Sequence, residues 1–191
     1  MQIKTKSVLY VENVRMELEY FTNYKGDFQN RAGYCINLDT ARTIDEARRK
    51  IHDKKFDALL LDMMLPENEK RLQELDILEE KRELLWIRYN DISGNSMNYD
   101  VHRAELKKIR DEISRIDLDI EKTLRLQGGL EIAQYYIEKY GKMPVIFFTA
   151  IGDPTLSEKC LQVIGEKLLW YLEKPATVEE VYTQFVKMWD N

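Results

Sequence analysis

Histidine and cysteine are almost missing from this chain of 191 residues, with two of each. His52 and His102 are too few for a histidine metal site, and neither lies in a pattern that suits a general base. Each is expected to be a solvated helix residue. Cys35 and Cys160 have neither metal-ligand spacing nor a disulfide framework, which fits a reducing cytosol. A basic stripe is also lacking. With 34 acidic and 29 basic residues the net charge is −5, which argues against nucleic acid as a partner. No apolar run approaches the ~18 residues that span a bilayer, and the N-terminus has no signal-peptide pattern. A cytoplasmic protein without a membrane partner is the expectation. What the chain does have, 44% hydrophobic and 33% charged residues, is enough for one good core.

The stretch that organises the chain is Ala58-Leu59-Leu60-Leu61-Asp62-Met63-Met64-Leu65-Pro66. A short apolar run of this kind reads as a buried strand. An ionised Asp at its carboxyl end is not core filling, because such groups are almost never fully buried unless paired. In an open α/β sheet, chemistry gathers at the carboxyl ends of strands.

Other strands follow from the same signals. Val8 to Val11 is strand 1 and ends in Glu12-Asn13; Tyr34 to Leu38 is strand 2. Pro144 to Ala150 and Leu168 to Glu173 are two more, followed by Lys174-Pro175. Helices alternate with them. Met16, Leu18, Tyr20 and Phe21 suit a helix over about 14–24, and Lys25 to Gly33 reads as a loop. Thr43…Glu46, Thr155…Glu158 and Thr177…Glu180 are capping boxes, in which the hydroxyl caps the third residue on and the carboxylate reaches back. Leu130 to Ile137 has helical spacing, and Gly141 is a natural stop.

Residues 67–127 interrupt this alternation. They are rich in Glu, Lys, Arg and Leu, with no proline and one glycine. Leu106, Ile109, Ile113, Ile116 and Ile120 form a heptad seam; Leu75, Leu78, Leu85, Tyr89 and Ile92 keep the same register, broken by Arg82. Ser93-Gly94-Asn95-Ser96 is the turn between them. This predicts an antiparallel coiled-coil hairpin with arms of roughly 40 Å, which is expected to project. Leu84 and Trp86 lie off the seam as a candidate contact. The domain expectation is therefore a discontinuous α/β domain, 1–66 with 128–191, carrying a hairpin insert over 67–127. With the insert set aside, five strands alternate with five helices. That is a parallel sheet with helices on both faces.

Glu12-Asn13, Asp62, Thr149 and Lys174 all stand at strand ends and would converge on one edge. Singly each has a plain reading: Asp62 as a strand-end residue, Lys174 as a surface lysine, Tyr171 as core packing. Together they resemble the response-regulator receiver domain of two-component systems. The matching pieces are Val11-Glu12-Asn13, Asp62-Met63-Met64-Leu65-Pro66, Gly128-Gly129-Leu130, Phe148-Thr149-Ala150 and Lys174-Pro175. The resemblance covers everything outside the insert and implies a flavodoxin-like sheet in the order 2-1-3-4-5. It implies that Asp62 is the phosphoacceptor, with Thr149 binding a phosphoryl oxygen and Lys174 pairing with the acceptor. It further implies Tyr171 as an aromatic switch coupled to Thr149. Mg²⁺ would be held by Glu12, the position of Asn13, Asp62 and the backbone carbonyl of Met64. Asn13 departs from the family, which has an acidic metal ligand there, and a neutral amide oxygen predicts weakened Mg²⁺ affinity. Met64 and Ile151, at the positions that tune dephosphorylation, are apolar and predict a long-lived phosphoryl group.

The implied function is a stand-alone receiver, not an enzyme with an external substrate. A histidine kinase or phosphotransfer protein would be the donor, and output would go through protein contact, with the hairpin as partner-binding or homodimerisation arm. The alternative is a pseudo-receiver scaffold that works without phosphate. A flavodoxin would want a phosphate loop where Asn13-Val14-Arg15-Met16 stands. A haloacid-dehalogenase-type phosphatase would want an Asp where Met64 stands.

Overall fold

The computed structural model describes residues 3–23, 33–94, 99–149 and 154–190. The elements run β1 (Lys4–Val11), α1 (Arg15–Asn23), β2 (Tyr34–Ala41), α2 (Ile44–Asp53), β3 (Ala58–Leu61), β4 (Leu65–Pro66), α3 (Glu69–Gly94), α4 (Tyr99–Thr123), β5 (Leu124–Arg125), α5 (Gly128–Tyr140), β6 (Val145–Thr149), α6 (Pro154–Ile164), β7 (Leu169–Glu173) and α7 (Val178–Asp190). Most of the 25–33 loop, Asn95 and Ser96 of the turn, Ala150, Ile151 and the Thr155 side chain lie outside the described residues. Among the described residues no helix is long and apolar enough to cross a membrane. The chain divides into two compact units, Met1–Asn68 with Arg125–Asn191, and Glu69–Leu124.

The first unit is a five-stranded parallel sheet in the order β2-β1-β3-β6-β7, the flavodoxin-like arrangement expected. Its central strands are apolar throughout: Val8 to Val11, Ala58 to Leu61 and Val145 to Phe148 are all buried. This is what a sheet covered on both faces requires. Two strands are longer than their apolar runs suggested. β1 begins at Lys4 rather than Val8, and β2 reaches Ala41 rather than Leu38. In both cases the added residues pair in register, Lys4 with Tyr34 and Val11 with Ala41, so ladder hydrogen bonds extend the strands past their hydrophobic centres.

Alternation along the strands sorts the helices. Tyr10 meets Phe21 of α1, and Tyr34, on the same face by register, meets Trp189 of α7. The other face takes α5, whose Tyr136 hydroxyl donates to the Phe56 carbonyl at 2.6 Å. Leu18 and Phe21 of α1 are buried. Met16 is 79% exposed, and Tyr20 is exposed as well. The caps form in part as read, and α6 begins at Pro154, which puts Thr155 inside the helix rather than at its cap. Thr43 accepts from the Glu46 amide at 3.0 Å, but the Glu46 carboxylate takes the Arg42 amide, one residue before the cap. Thr177 and Glu180 bond reciprocally. Gly141 ends α5 at φ 86°, a conformation suited to glycine.

The second unit is the hairpin. Ion pairs Arg82–Asp117 and Arg88–Glu105 run α3 and α4 antiparallel. Leu106, Ile109, Ile113, Ile116 and Ile120 are buried, and Leu72 joins Leu75 in the α3 seam. Leu72 escaped the heptad reading because it lies three before Leu75, one step off the strict repeat. Arg82 does not open the seam: its guanidinium stays half-buried and meets Asp117 on the facing helix at 3.3 Å. Leu84 and Trp86 are exposed, together with Ile77 and Ile87.

Gly128 and Gly129 open α5, and the second is sterically demanded. A Cβ on Gly129 would lie 2.2 Å from the Asp62 carbonyl oxygen, and one on Gly128 would lie 2.9 Å from Leu65 Cβ. The start of α5 therefore packs directly on the backbone at the end of β3. Gly129→Ala is expected to cost about 1–3 kcal/mol through overpacking. Gly94→Ala, where nothing approaches within 4 Å, is expected to leave stability unchanged. Urea midpoints of the two variants check this, and an unperturbed Gly129→Ala midpoint would refute the close packing.

Candidate functional site

The parallel register decides where the strand ends fall. Val11 pairs with Leu61, and Thr149 pairs with Glu173. Glu12, Asp62, Thr149 and Lys174 consequently emerge along one edge, at the ends of the neighbouring strands β1, β3, β6 and β7. Glu12, Asn13, Asp62 and Thr149 are the buried polar residues of that edge.

Asp62 is held at both oxygens. Oδ1 accepts from the Met63 amide at 2.6 Å and lies 3.4 Å from the Met64 amide; Oδ2 accepts from Lys174 Nζ at 3.0 Å. Turning back on its own strand end, the carboxylate satisfies local amides that no ladder takes up. Lys174 Nζ also lies 2.5 Å from Glu12 Oε2 and stands over the Phe148 ring. Lys174 is only 13% exposed at the side chain. Burial acts to lower its pKa, and Asp62 and Glu12 together override this and raise it above the ordinary value. For Glu12 the balance goes the other way. Burial and then the Asp62 charge push it up to about 8, opposed by Lys174 and the Val14 amide. Its Oε1 accepts from that amide at 3.0 Å.

Asn13 sits beside Glu12 with its main-chain carbonyl oxygen bound by Arg42, at 2.8 Å from Nη2 and 3.2 Å from Nε. Thr149 closes β6, and its carbonyl accepts the Lys174 amide at 3.4 Å. Tyr171 lies on β7 three residues before Lys174 and opposite Phe147 in register. The two rings stack at 5.7 Å and 26°. Tyr171 is 40% exposed, and its hydroxyl interacts with Cys160 and Ser157 of α6. Burial, and then the bond to Cys160, raise its pKa.

Sequence reasoning missed one member of the site. Glu17, in the first turn of α1, reaches Lys174 Nζ with Oε2 at 3.0 Å. No local pattern marks it: Glu17 reaches the edge because α1 begins at Arg15 and its first turn lies against the end of β1. An open apolar cavity of about 680 Å³ lies alongside, lined by Met16, Tyr20, Phe21, Phe148 and Pro175 with Glu17 and Lys174 at its polar side.

The oxygens of this edge are the hard donors that Mg²⁺ takes, and Glu12 and Asp62 already share one cation, the Lys174 ammonium. Among the described residues, however, no three His, Cys, Asp or Glu side chains make a ready metal-binding group. The donor chemistry fits, and the set is one anionic ligand short.

Solved structures share this architecture. The chain matches the receiver domain of a Francisella response regulator at TM-score 0.54 and 12% identity, over 97% of each chain. It matches a CheY-like response regulator receiver domain protein from Methanospirillum hungatei at 0.55 and 14%, over 98% of this chain and 95% of that one. It matches the Vibrio cholerae chemotaxis protein CheY4 at 0.53 and 15%, over 96% of this chain and 98% of that one. The fold is that of a response-regulator receiver domain. No family model and no curated protein matches the chain. At these identities the likeness speaks for the receiver fold, and the chemistry must be argued from the side chains.

The ion cluster gives a direct test. Lys174→Met would leave Glu12, Asp62 and Glu17 facing one another without a cation. Stability at neutral pH is expected to fall by about 3–5 kcal/mol. Part of that loss should return on acidification, because protonating the carboxylates removes their repulsion. Urea unfolding across pH checks this; an unchanged midpoint at neutral pH would show that the cluster does not depend on Lys174.

Proposed function

We propose that the protein accepts a phosphoryl group on Asp62 from a histidine kinase or a phosphotransfer protein and signals by protein contact. The observation that carries this is the orientation of Asp62, anchored by main-chain amides on one oxygen and by Lys174 on the other, at the carboxyl edge of a receiver sheet. A carboxylate oxygen attacks the phosphorus of the donor phosphohistidine. The new P–O bond forms as the P–N bond breaks, and the electron pair leaves on the imidazole nitrogen. Such a transfer is limited by positioning and charge neutralisation rather than by covalent assistance. Lys174 neutralises charge at the acceptor, and Thr149, at the end of the neighbouring strand, takes a phosphoryl oxygen. Phe147, Thr149, Tyr171 and Glu173 share one sheet face by register, which supports Tyr171 as the ring that responds when Thr149 is engaged.

Glu12, Asn13, Asp62 and the Met64 carbonyl would hold Mg²⁺, weakly because Asn13 is neutral. When bound, the ion would supply further positive charge to the transferring oxygens. The protein turns over no external substrate in this reading. Residues 67–127 act as a separate coiled-coil module on a receiver domain made of 1–66 and 128–191. Its exposed Ile77, Leu84, Trp86 and Ile87 support the hairpin as the arm that binds a partner or a second copy. The competing reading, a pseudo-receiver that scaffolds without phosphate, draws its support from Asn13.

Two experiments separate these readings. Intact-mass measurement after acetyl phosphate and Mg²⁺ is expected to show one added phosphoryl group on the wild type and none on Asp62→Asn. No shift on the wild type favours the scaffold. Replacing 68–126 with a short linker is expected to leave phosphorylation intact and to abolish partner binding or dimerisation. An unchanged oligomeric state and partner set would refute the role of the hairpin.

A further inference from the structure

Lys174 is claimed by three carboxylates from three elements. Glu12 follows β1, Asp62 follows β3, and Glu17 comes from α1, at 2.5, 3.0 and 3.0 Å from the ammonium. Glu12 and Asp62 accept hydrogen bonds from the ammonium, whereas Glu17 meets it as an ion pair. The three acids are not equivalent. Glu12 is fully buried and Asp62 nearly so, but the Glu17 side chain is 35% exposed and faces the open cavity. The phosphoacceptor mechanism uses Glu12 and Asp62 and gives Glu17 no role.

A cation that enters between Glu12 and Asp62 takes away two of the three partners of Lys174. An ammonium 13% exposed cannot recover them from water, and a buried charge left without a partner is strongly unfavourable. Glu17 is the anchor that remains. It lies on a helix rather than at a strand end, so it can keep the ammonium without occupying the space between the other two. With Asn13 neutral, Glu17 also adds to the edge an acidic side chain whose charge a nearby divalent ion would favour.

We infer that Glu17 is a positioning residue of this site: it retains Lys174 when Glu12 and Asp62 engage a divalent cation, and it supplies a further negative charge from α1. The inference rests on the phosphoacceptor reading for its purpose, but its test reads cation binding and not phosphorylation. Asn13 makes the test clean. It is buried at the same edge, and its amide has the shape of a carboxylate, so the missing charge can be moved from position 17 to position 13 with little steric change.

Mg²⁺ is titrated calorimetrically into the wild type, Glu17→Gln, Asn13→Asp and the double variant, with urea midpoints confirming that all four are folded. Glu17→Gln is expected to weaken Mg²⁺ binding about tenfold, the scale of one screened charge near a divalent ion. The double variant is expected to return to within about threefold of the wild type. Wild-type affinity in Glu17→Gln, no recovery in the double variant, or no Mg²⁺ uptake by the wild type would each overturn the inference. A normal calorimetric pattern with no phosphoryl shift on Asp62 would instead remove the phosphoacceptor reading and leave the role of Glu17 standing.

Discussion

One ammonium holds this edge together. Glu12, Asp62 and Glu17 arrive from a strand end, a second strand end and a helix, and they share Lys174 Nζ. Carboxylates this close and this dry repel one another, and the effect shows in Glu12, which burial and Asp62 push well above the ordinary carboxylate range. The attraction of each for Lys174 is what makes the grouping tolerable. Buried ion clusters of this kind are poor sources of stability compared with apolar packing. Their presence in a sheet whose core is otherwise apolar therefore argues for a use other than folding, and the carboxyl edge is where such uses gather in open α/β sheets.

The precision of the cluster depends on strand register, and the register depends on apolar side chains far from it. Val8 to Val11, Ala58 to Leu61 and Val145 to Phe148 are buried on both sheet faces, so a slip of one residue along β3 would exchange which of them meet each face. It would also move Asp62 by one strand step, about 3.3 Å, which is more than its whole distance to Lys174. Gly129 adds a second lock from below. Its missing side chain lets the start of α5 touch the Asp62 carbonyl. The peptide of Asp62 is thereby fixed on its carbonyl side by packing, and its carboxylate is fixed by the Met63 amide.

Most of this was legible in the sequence because it is encoded locally. A strand announces itself by a short apolar run, and the residue after the run is the one at the sheet edge. Glu12, Asp62, Thr149 and Lys174 could be lined up without knowing any distance. The sheet order and the seam from Leu106 to Ile120 were legible for similar reasons. What local pattern does not carry is the phase of an element relative to its neighbours. Glu17 belongs to the site only because α1 begins at Arg15 and turns that side chain back toward β1. Glu46 reaches Arg42 instead of Thr43 for a comparable reason, one residue of geometry at a cap. Arg82 looked like a fault in the seam, because a charge at a core position gives no hint of its partner Asp117, 35 residues later.

Sharing one ammonium among three acids has a mechanical consequence. An isolated Lys–Asp pair could respond to a new charge on Asp62 only by breaking or tightening. Here Lys174 can shift its weight among three partners, and each shift is felt by a different element: β1 through Glu12, β3 through Asp62, α1 through Glu17. The Lys174 amide also bonds the Thr149 carbonyl, so its backbone is tied to the end of β6 while its head is free to redistribute. Tyr171 lies three residues upstream on the same strand, half-exposed, with its ring on Phe147 and its hydroxyl against α6. A local change of charge at Asp62 therefore bears first on the Lys174 ammonium, and through it on β1 by way of Glu12 and on α1 by way of Glu17. The side chain at the centre cannot satisfy all its partners once any of them gains or loses charge.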